Sequence, residues 1–352
     1  MSFTQPTGPS LRVAAKRSRL PRRALLTVAA GLAVPSLPRF ARAAEVTWRL
    51  GHNAPVDFAL HLRLAEVATT IATQSGGQMV LAVHPNSELG SAVGLFAQLR
   101  AGTVDVVPVT SQLLSSELAV GALPMLGFAF DGYDSVWKAM DGDLGAFLRA
   151  QMKERLGLAT MDRCWNFGFR QVTTSGKVVK VAGDIEGLRL RVPPEADFVG
   201  LLQALKVLPV SMPLSGLGRS LQSHVVDGQE GVLPLVKAAR LYQVQSICSL
   251  TNHVWDGHWM CVSGKSWSNL PQKLKDIVAT AFDEGGLPQR QDTAANEAQI
   301  QKDLESTGMK FNPVDAQSFR LALRKAGYYS AWQTKMGGDA WSALEKYSGR
   351  LA

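Results

Sequence analysis

Apolar residues recur along this chain with two periods, and the alternation between them predicts a layered α/β protein. Val46-Thr-Trp-Arg-Leu-Gly51 reads as a short strand ending at glycine, and Leu60, Leu64, Val67, Ala68 and Ile71 follow at helical spacing until Gly76-Gly77 stops them. Met79–Val83 is a continuous apolar strand closed by the turn at Pro85-Asn86. A helix over Val93–Ala101 ends at Gly102, and Asp105–Val109 is a further buried strand. This β-α-β-α-β order implies a parallel sheet with right-handed crossovers. One helix from about Tyr133 to Glu154 would bury Val136, Trp137, Met140, Leu144 and Leu148.

After a short strand at Leu158–Met161 the pattern restarts. Arg170–Thr174 and Leu188–Val192 alternate with period two, and Phe198, Leu201, Leu202 and Leu205 mark a helix. A strand at Val207–Val210, a helix near Leu217–Gln222 and a strand at Val225-Val226 complete the second set. The expectation is two α/β lobes that change over near Trp165–Arg170 and again near Thr251–Trp255. Residues 44–166 with about 254–300 form the first lobe and 167–253 the second. Residues 270–352 form a wholly helical tail packed across both, with Leu274, Ile277, Val278 and Phe282 at core spacing.

Charge changes the picture at the N-terminus. Of 37 basic side chains, eight lie in residues 1–43, which contain no acid; the rest of the chain balances 29 basic against 29 acidic residues. The net charge of +8 therefore belongs to that segment and gives no footprint for nucleic acid or anionic lipid elsewhere. Residues 1–43 read as an export signal: a basic region ending at Arg22-Arg23, an apolar run over 24–38, and Ala41-Arg42-Ala43 as a cleavage site. Arg22-Arg23-Ala24-Leu25-Leu26 resembles a twin-arginine signal, with an ordinary secretion signal as the alternative. Pro35 and Pro38 cut the run below the roughly 20 residues of a membrane span. The expected location is the periplasm. Cys164, Cys248 and Cys261 sit among apolar neighbours, as buried free thiols do, and exclude a disulfide scaffold or a four-cysteine zinc site.

Templates for catalysis and cofactors fail. Gly216-Leu-Gly218 lacks the third glycine of a dinucleotide fingerprint, and Trp259 stands where a phosphate loop ending in Gly264-Lys-Ser266 needs glycine. His253, Asp256 and His258 fit no metal-ligand spacing, so hydrogen-bonded structure is the preferred reading. No catalytic residue, metal or cofactor is expected. Arg191 differs in kind. In Leu188-Arg-Leu-Arg-Val192 it lies on the face opposite three aliphatics, near the carboxyl end of a strand where α/β crevices open. There a guanidinium needs a carboxylate from a ligand, or solvent, or a structural acid such as Glu186. Arg170, beside the aromatic Trp165–Phe169 run, is a second candidate; the alternative is a surface arginine.

Several short motifs in order carry a family resemblance: Leu50-Gly-His-Asn53, His84-Pro-Asn-Ser-Glu-Leu-Gly90, Leu99-Arg-Ala-Gly-Thr-Val-Asp105, Phe169-Arg170, Gly187–Val192, Val210-Ser-Met-Pro-Leu-Ser215 and Val225-Val-Asp-Gly-Gln-Glu230. Across residues 44–352 the chain resembles the substrate-binding proteins of tripartite ATP-independent periplasmic (TRAP) transporters, the DctP-type family. The resemblance implies a two-lobed periplasmic binding protein fold with a hinge and a long helix across both lobes. It also implies a carboxylate ligand enclosed between them and TRAP membrane permease subunits as partners, met in transient contact. It implies ligand contacts from Arg191 and Arg170, with Asn53, Thr110 and Leu214 lining the cleft. The family's usual asparagine after Asp-Gly-Gln-Glu is Gly231 here, and its usual tyrosine is Gly218, so the pocket gains room. With Trp255 and Trp259 as candidate apolar surface, a larger or partly apolar monocarboxylate is expected; a sugar acid or a C4-dicarboxylate is the alternative, and hinge or core packing is the other reading of the tryptophans. An exported enzyme acting on organic acids, and a module presenting its ligand to a sensor kinase, are the competing functions.

Overall fold

Strands β1 (Val46–Gly51), β2 (Met79–His84) and β3 (Val106–Thr110) alternate with helices α1 (Ala59–Gln74) and α2 (Ala92–Ala101), as the hydrophobic pattern predicts. The computed structural model describes residues 45–193 and 196–352; the expected export signal lies outside them. Ser91 caps α2 by accepting from the Gly94 amide, and Gly102 ends it in the left-handed conformation at φ 71°. Thr110 closes β3 and caps the short α3 (Ser111–Ser115).

The single helix expected over Tyr133–Glu154 is two: α4 (Tyr133–Met140) and α5 (Asp143–Leu156). The break at Asp141-Gly142 has a tertiary cause. Arg290 grips both Asp141 carboxylate oxygens at 2.7 Å, donates to the Cys164 carbonyl, and lies 4.0 Å from the centre of the Trp137 ring. Then come β4 (Ala159–Thr160), β5 (Trp165–Thr174), α6 (Ala182–Ile185), β6 (Arg189–Val192), α7 (Ala196–Ala204), β7 (Leu208–Ser211), α8 (Leu217–Gln222), β8 (Gly228–Val232) and α9 (Leu233–Ala238). The strand expected at Val225-Val226 is a turn. The ladder instead uses Gly228-Gln-Glu-Gly-Val232, which carries almost no β-forming side chains. Contact with β5 selects it, since a Cβ on Gly228 would sit 2.2 Å from the Thr173 carbonyl oxygen.

Strand β9 (Ile247–Val262) organises the sheet, whose order is β2-β1-β3-β9-β5-β8-β6-β7. Its sixteen residues span about 50 Å. The carboxyl half pairs antiparallel with β3 and β4, and the amino half pairs parallel with β10 (Lys310–Pro313). Strand β5 runs antiparallel to both halves, with register shifts between Asn166 and Gly168 and between Arg170 and Val172. The two sequence regions expected as crossings between lobes are thus one continuous pair of strands. The C-terminal region is helical as expected, through α10 (Gly264–Asn269), α11 (Gln272–Ser306), α12 (Ala316–Lys325), α13 (Tyr328–Met336) and α14 (Gly338–Ser348), with β10 as the exception.

Helix α11, about 50 Å long, joins two cores. Leu274, Val278 and Phe282 pack with β1, β2 and α1, while Ile300 and Leu304 pack with α8 and α9. Between them the helix presses on β5. A Cβ on Gly286 would come within 2.9 Å of the Trp165 indole nitrogen, and one on Gly168 (φ 119°) within 2.3 Å of Glu297. Burial raises the Glu297 carboxyl to about 7, although it accepts a 2.5 Å hydrogen bond from Tyr133. All three cysteines are buried and free, as expected.

Two outcomes are expected. Gly228→Ala forces a Cβ against backbone, and should lower stability by about 2–4 kcal/mol in urea unfolding with an unchanged m-value. Because the folded-state pKa of Glu297 lies above the ordinary 4.5, the native form holds its proton longer, and its contribution to stability is lost as pH rises from 4.5 through 7. The stability of the wild type relative to Glu297→Gln should therefore fall across that window; a constant difference would contradict the assignment.

Candidate functional site

Residues of β9, β3 and β5 line a cavity of about 630 Å³. Thr110 pairs with His258 across β3 and β9, Trp165 pairs with His258 across β5 and β9, and Arg170 faces Val232 across β5 and β8. Thr110, His258, Asn166, Phe167 and Val232 line the cavity from this sheet, so its wall draws on the four adjacent central strands β3, β9, β5 and β8. Helix α11 adds Gln289, Thr293 and Asn296 from successive turns, and the starts of α1 and α2 add Phe58 and Val93. The Gln289 amide holds the wall in place: it accepts from the Asn166 amide at 2.7 Å and donates to the Asn166 carbonyl at 2.8 Å. A side chain thus supplies the hydrogen bonds that a neighbouring strand would give at the β5 bulge.

The six candidate residues fall into separate places. Asn53 and Thr110 line the cavity. Asn53 donates from its side chain to Ser87 Oγ and the Gly90 carbonyl, so it also fastens the 84–90 loop. Arg170 is buried in β5 and grips Glu230 with two bonds of 2.5 and 2.8 Å; the reading as a surface arginine does not hold. Arg191, only 5% exposed, lies at the carboxyl end of β6, with Nε donating to the Met212 carbonyl at 3.0 Å. Its alternation partner Arg189 is half-exposed and pairs with Asp227, while Glu186 pairs with Lys206. Neither Arg170 nor Arg191 is among the residues lining the cavity, and Leu214 stands exposed. Trp255 and Trp259 are fully buried: Trp255 meets Trp137 edge-on and donates to Asn166 Oδ1, and Trp259 donates to Ser111 Oγ. They pack the core, and the apolar wall comes from other side chains.

Electrostatics divide the region in two. Burial alone would raise Glu230, but the Arg170 guanidinium and His253 hold it at about 2. His253 accepts or donates at Thr251 and Glu230, and burial keeps its pKa below the ordinary value. On the opposite face of β9, Asp256 accepts from the Ser111 and Gly257 amides and is raised to about 6 by burial. His258 is lowered to about 4 by burial and by His52, which is itself lowered to about 4 by burial and by His61. His253, Asp256 and His258 therefore point to different partners, and no cluster able to hold a metal occurs among the described residues.

Residues 50–331 match the family described as bacterial extracellular solute-binding protein, family 7 (DctP). The chain belongs to that family. It is 26% identical over 301 residues to the sialic acid-binding periplasmic protein SiaP of Vibrio cholerae, covering 86% of this chain and 92% of that one. A TRAP periplasmic solute binding protein from Ochrobactrum anthropi superposes with a TM-score of 0.83 at 24% identity, covering 88% of this chain and 95% of its own. Another, from Roseobacter denitrificans with bound L-galactonate, has a TM-score of 0.72 at 26% identity, covering 87% of this chain and 99% of its own. The two-lobed binding-protein fold is thus shared across nearly the full length of these relatives.

Sequence reasoning passed over Glu230, Gln289, Asn166, His52 and His258 as working residues. Glu230 carries a usable signal, an acid inside a strand whose neighbours are buried. His258 is read from sequence as a metal ligand or, by preference, as hydrogen-bonded structure. Gln289 and Asn166 carry no local signal, because their pairing joins residues 123 positions apart.

Removing the Glu230 charge should leave the Arg170 guanidinium buried without its counter-ion. Glu230→Gln is expected to lose about 3–5 kcal/mol in urea unfolding, and Arg170→Met with Glu230→Gln to recover part of it. Since Glu230 is depressed below the ordinary 4.5, the contribution of the pair is whole above pH 4.5 and lost as pH falls towards 2.

Proposed function

We propose that this protein captures a small organic acid in the periplasm and delivers it, chemically unchanged, to the membrane permease of a TRAP transporter. The acid's carboxylate is held by Arg191 with help from Arg170, its body enters the cavity beside Asn53 and Thr110, and Leu214 closes over it from the second lobe. The observation that carries this reading is the position of Arg191, a buried cation at the carboxyl end of a parallel strand whose guanidinium plane is fixed by the Met212 carbonyl. A fork fixed in that way recognises a carboxylate with little further ordering cost. Family membership over residues 50–331 supports it, as do relatives whose names record sialic acid and L-galactonate as ligands.

The lobes correspond to the two ends of the β5–β9 pair, residues 44–166 with about 254–300 and residues 167–253, and closure bends that pair at its irregular positions. Among the described residues no helix is long and apolar enough to cross a membrane, which fits a protein that meets its permease from outside the bilayer.

A thermal-shift screen of organic acids tests the reading, because a ligand that binds only the folded state raises its stability. At least one acid should shift the unfolding temperature, and Arg191→Ala should weaken its binding by about 2–5 kcal/mol in calorimetry. Equal affinity of variant and wild type would remove Arg191 from the site.

A further inference from the structure

Glu297 lies in α11 between the residues that pack in the two end cores, next to Asn296, which lines the cavity together with Thr293. Its carboxyl rests on the backbone of β5 where the pairing with β9 first shifts register, between Asn166 and Gly168. A Cβ on Gly168 would stand 2.3 Å from Glu297 Oε1 and 4.0 Å from the Tyr133 hydroxyl. Glycine at φ 119° leaves the room that the carboxyl fills. The other oxygen, Oε2, accepts from Tyr133 of α4, whose hydroxyl also meets the Asn166 side chain. One carboxyl thus ties the long helix and α4 to the irregular point of β5.

No cation answers this carboxyl among the described residues. The charged groups of the elements packed here pair elsewhere: Arg63 of α1 with Asp292, Lys237 of α9 with Asp303, Arg290 of α11 with Asp141, and Arg170 of β5 with Glu230. Asp134 and Lys138 of α4 and Lys302 of α11 are exposed. Asp256, in register with Gly168 on β9, accepts from the Ser111 and Gly257 amides. Tyr133 and the Phe169 amide favour the ionised form of Glu297, yet burial outweighs them and raises it to about 7. A buried charge without a counter-ion is costly, and water relieves it only where α11 and β5 part.

We propose that Glu297 is a positioning residue that couples lobe closure to a proton: protonated, it holds α11 against the β5 bulge and favours the closed form, and ionised it loosens that contact and favours the open form. The proposal rests on the two-lobed capture reading above and adds a regulation to it. Closure over the cavity takes the adjoining side of α11 further from water, so the closed form has the higher pKa and takes up a proton. Affinity is therefore full below the open-form pKa and falls as pH rises through the closed-form one.

Calorimetry with N-acetylneuraminate, L-galactonate and D-glucuronate as probes tests this, in phosphate and in Tris, whose ionisation heats differ. A probe that binds should draw protons onto the wild type near neutral pH, and its affinity should fall about three- to tenfold from about pH 5.5 to 8.5. Glu297→Gln keeps an acceptor for Tyr133; it should bind the same probe with no proton uptake and with the wild type's low-pH affinity throughout. Tyr133→Phe, which removes a donor to the ionised form, should move the fall to higher pH, and it serves as the second variant should Glu297→Gln fail to fold. A flat profile in the wild type, or the same slope in Glu297→Gln, would overturn the proposal and leave capture standing. Where no probe binds, that result counts against capture of these acids, and small-angle scattering of the ligand-free protein decides the proposal. The radius of gyration should then grow with pH in the wild type and stay constant in Glu297→Gln; constancy in both would overturn it.

Discussion

The antiparallel pair of β5 and β9 is the constraint on which the rest of this structure depends. Every other described strand is attached to one of these two directly or through one or two neighbours, and α11 lies against β5 between the cores at its ends. The pairing of β5 with β9 is interrupted by register shifts after Asn166 and after Arg170. Backbone groups freed by the first shift are bonded by the Gln289 amide, so the irregularity costs little.

Buried polar side chains gather around this irregular stretch. Arg170 and Asn166 lie beside the shifts on β5, and His253 and His258 lie on the facing part of β9. The buried Arg170–Glu230 pair fixes the second strand edge, β8, to β5 with charge-assisted bonds, while the cavity wall above it is kept free of formal charge. One side of the region is thus ionic and internally paired, and the described residues of the cavity wall carry no formal charge.

The elements with strong local patterns were legible: α1, α2, β1, β2 and β3 lie within a residue or two of expectation, because apolar periodicity and glycine stops act over a few residues. The break between α4 and α5, the strand at Gly228–Val232 and the length of β9 were not. Arg290 enforces the first from far along the chain, and a Cβ-free contact with Thr173 the second. His, Asn, Asp and Gly residues inside β9 hide a strand that is stabilised by partners on both edges.

By itself the sequence determined the α/β class, the charge-neutral body behind a basic N-terminal segment, the absence of recognisable catalytic motifs and the singular placement of Arg191. Those follow from composition and from periods of two and 3.6 residues, which a chain carries wherever it folds. Tertiary structure alone decided which polar groups are satisfied. Arg170 finds Glu230 sixty residues away, and Gln289 finds Asn166. Hydrogen bonding of buried groups depends on which distant segments meet, and no local pattern encodes that.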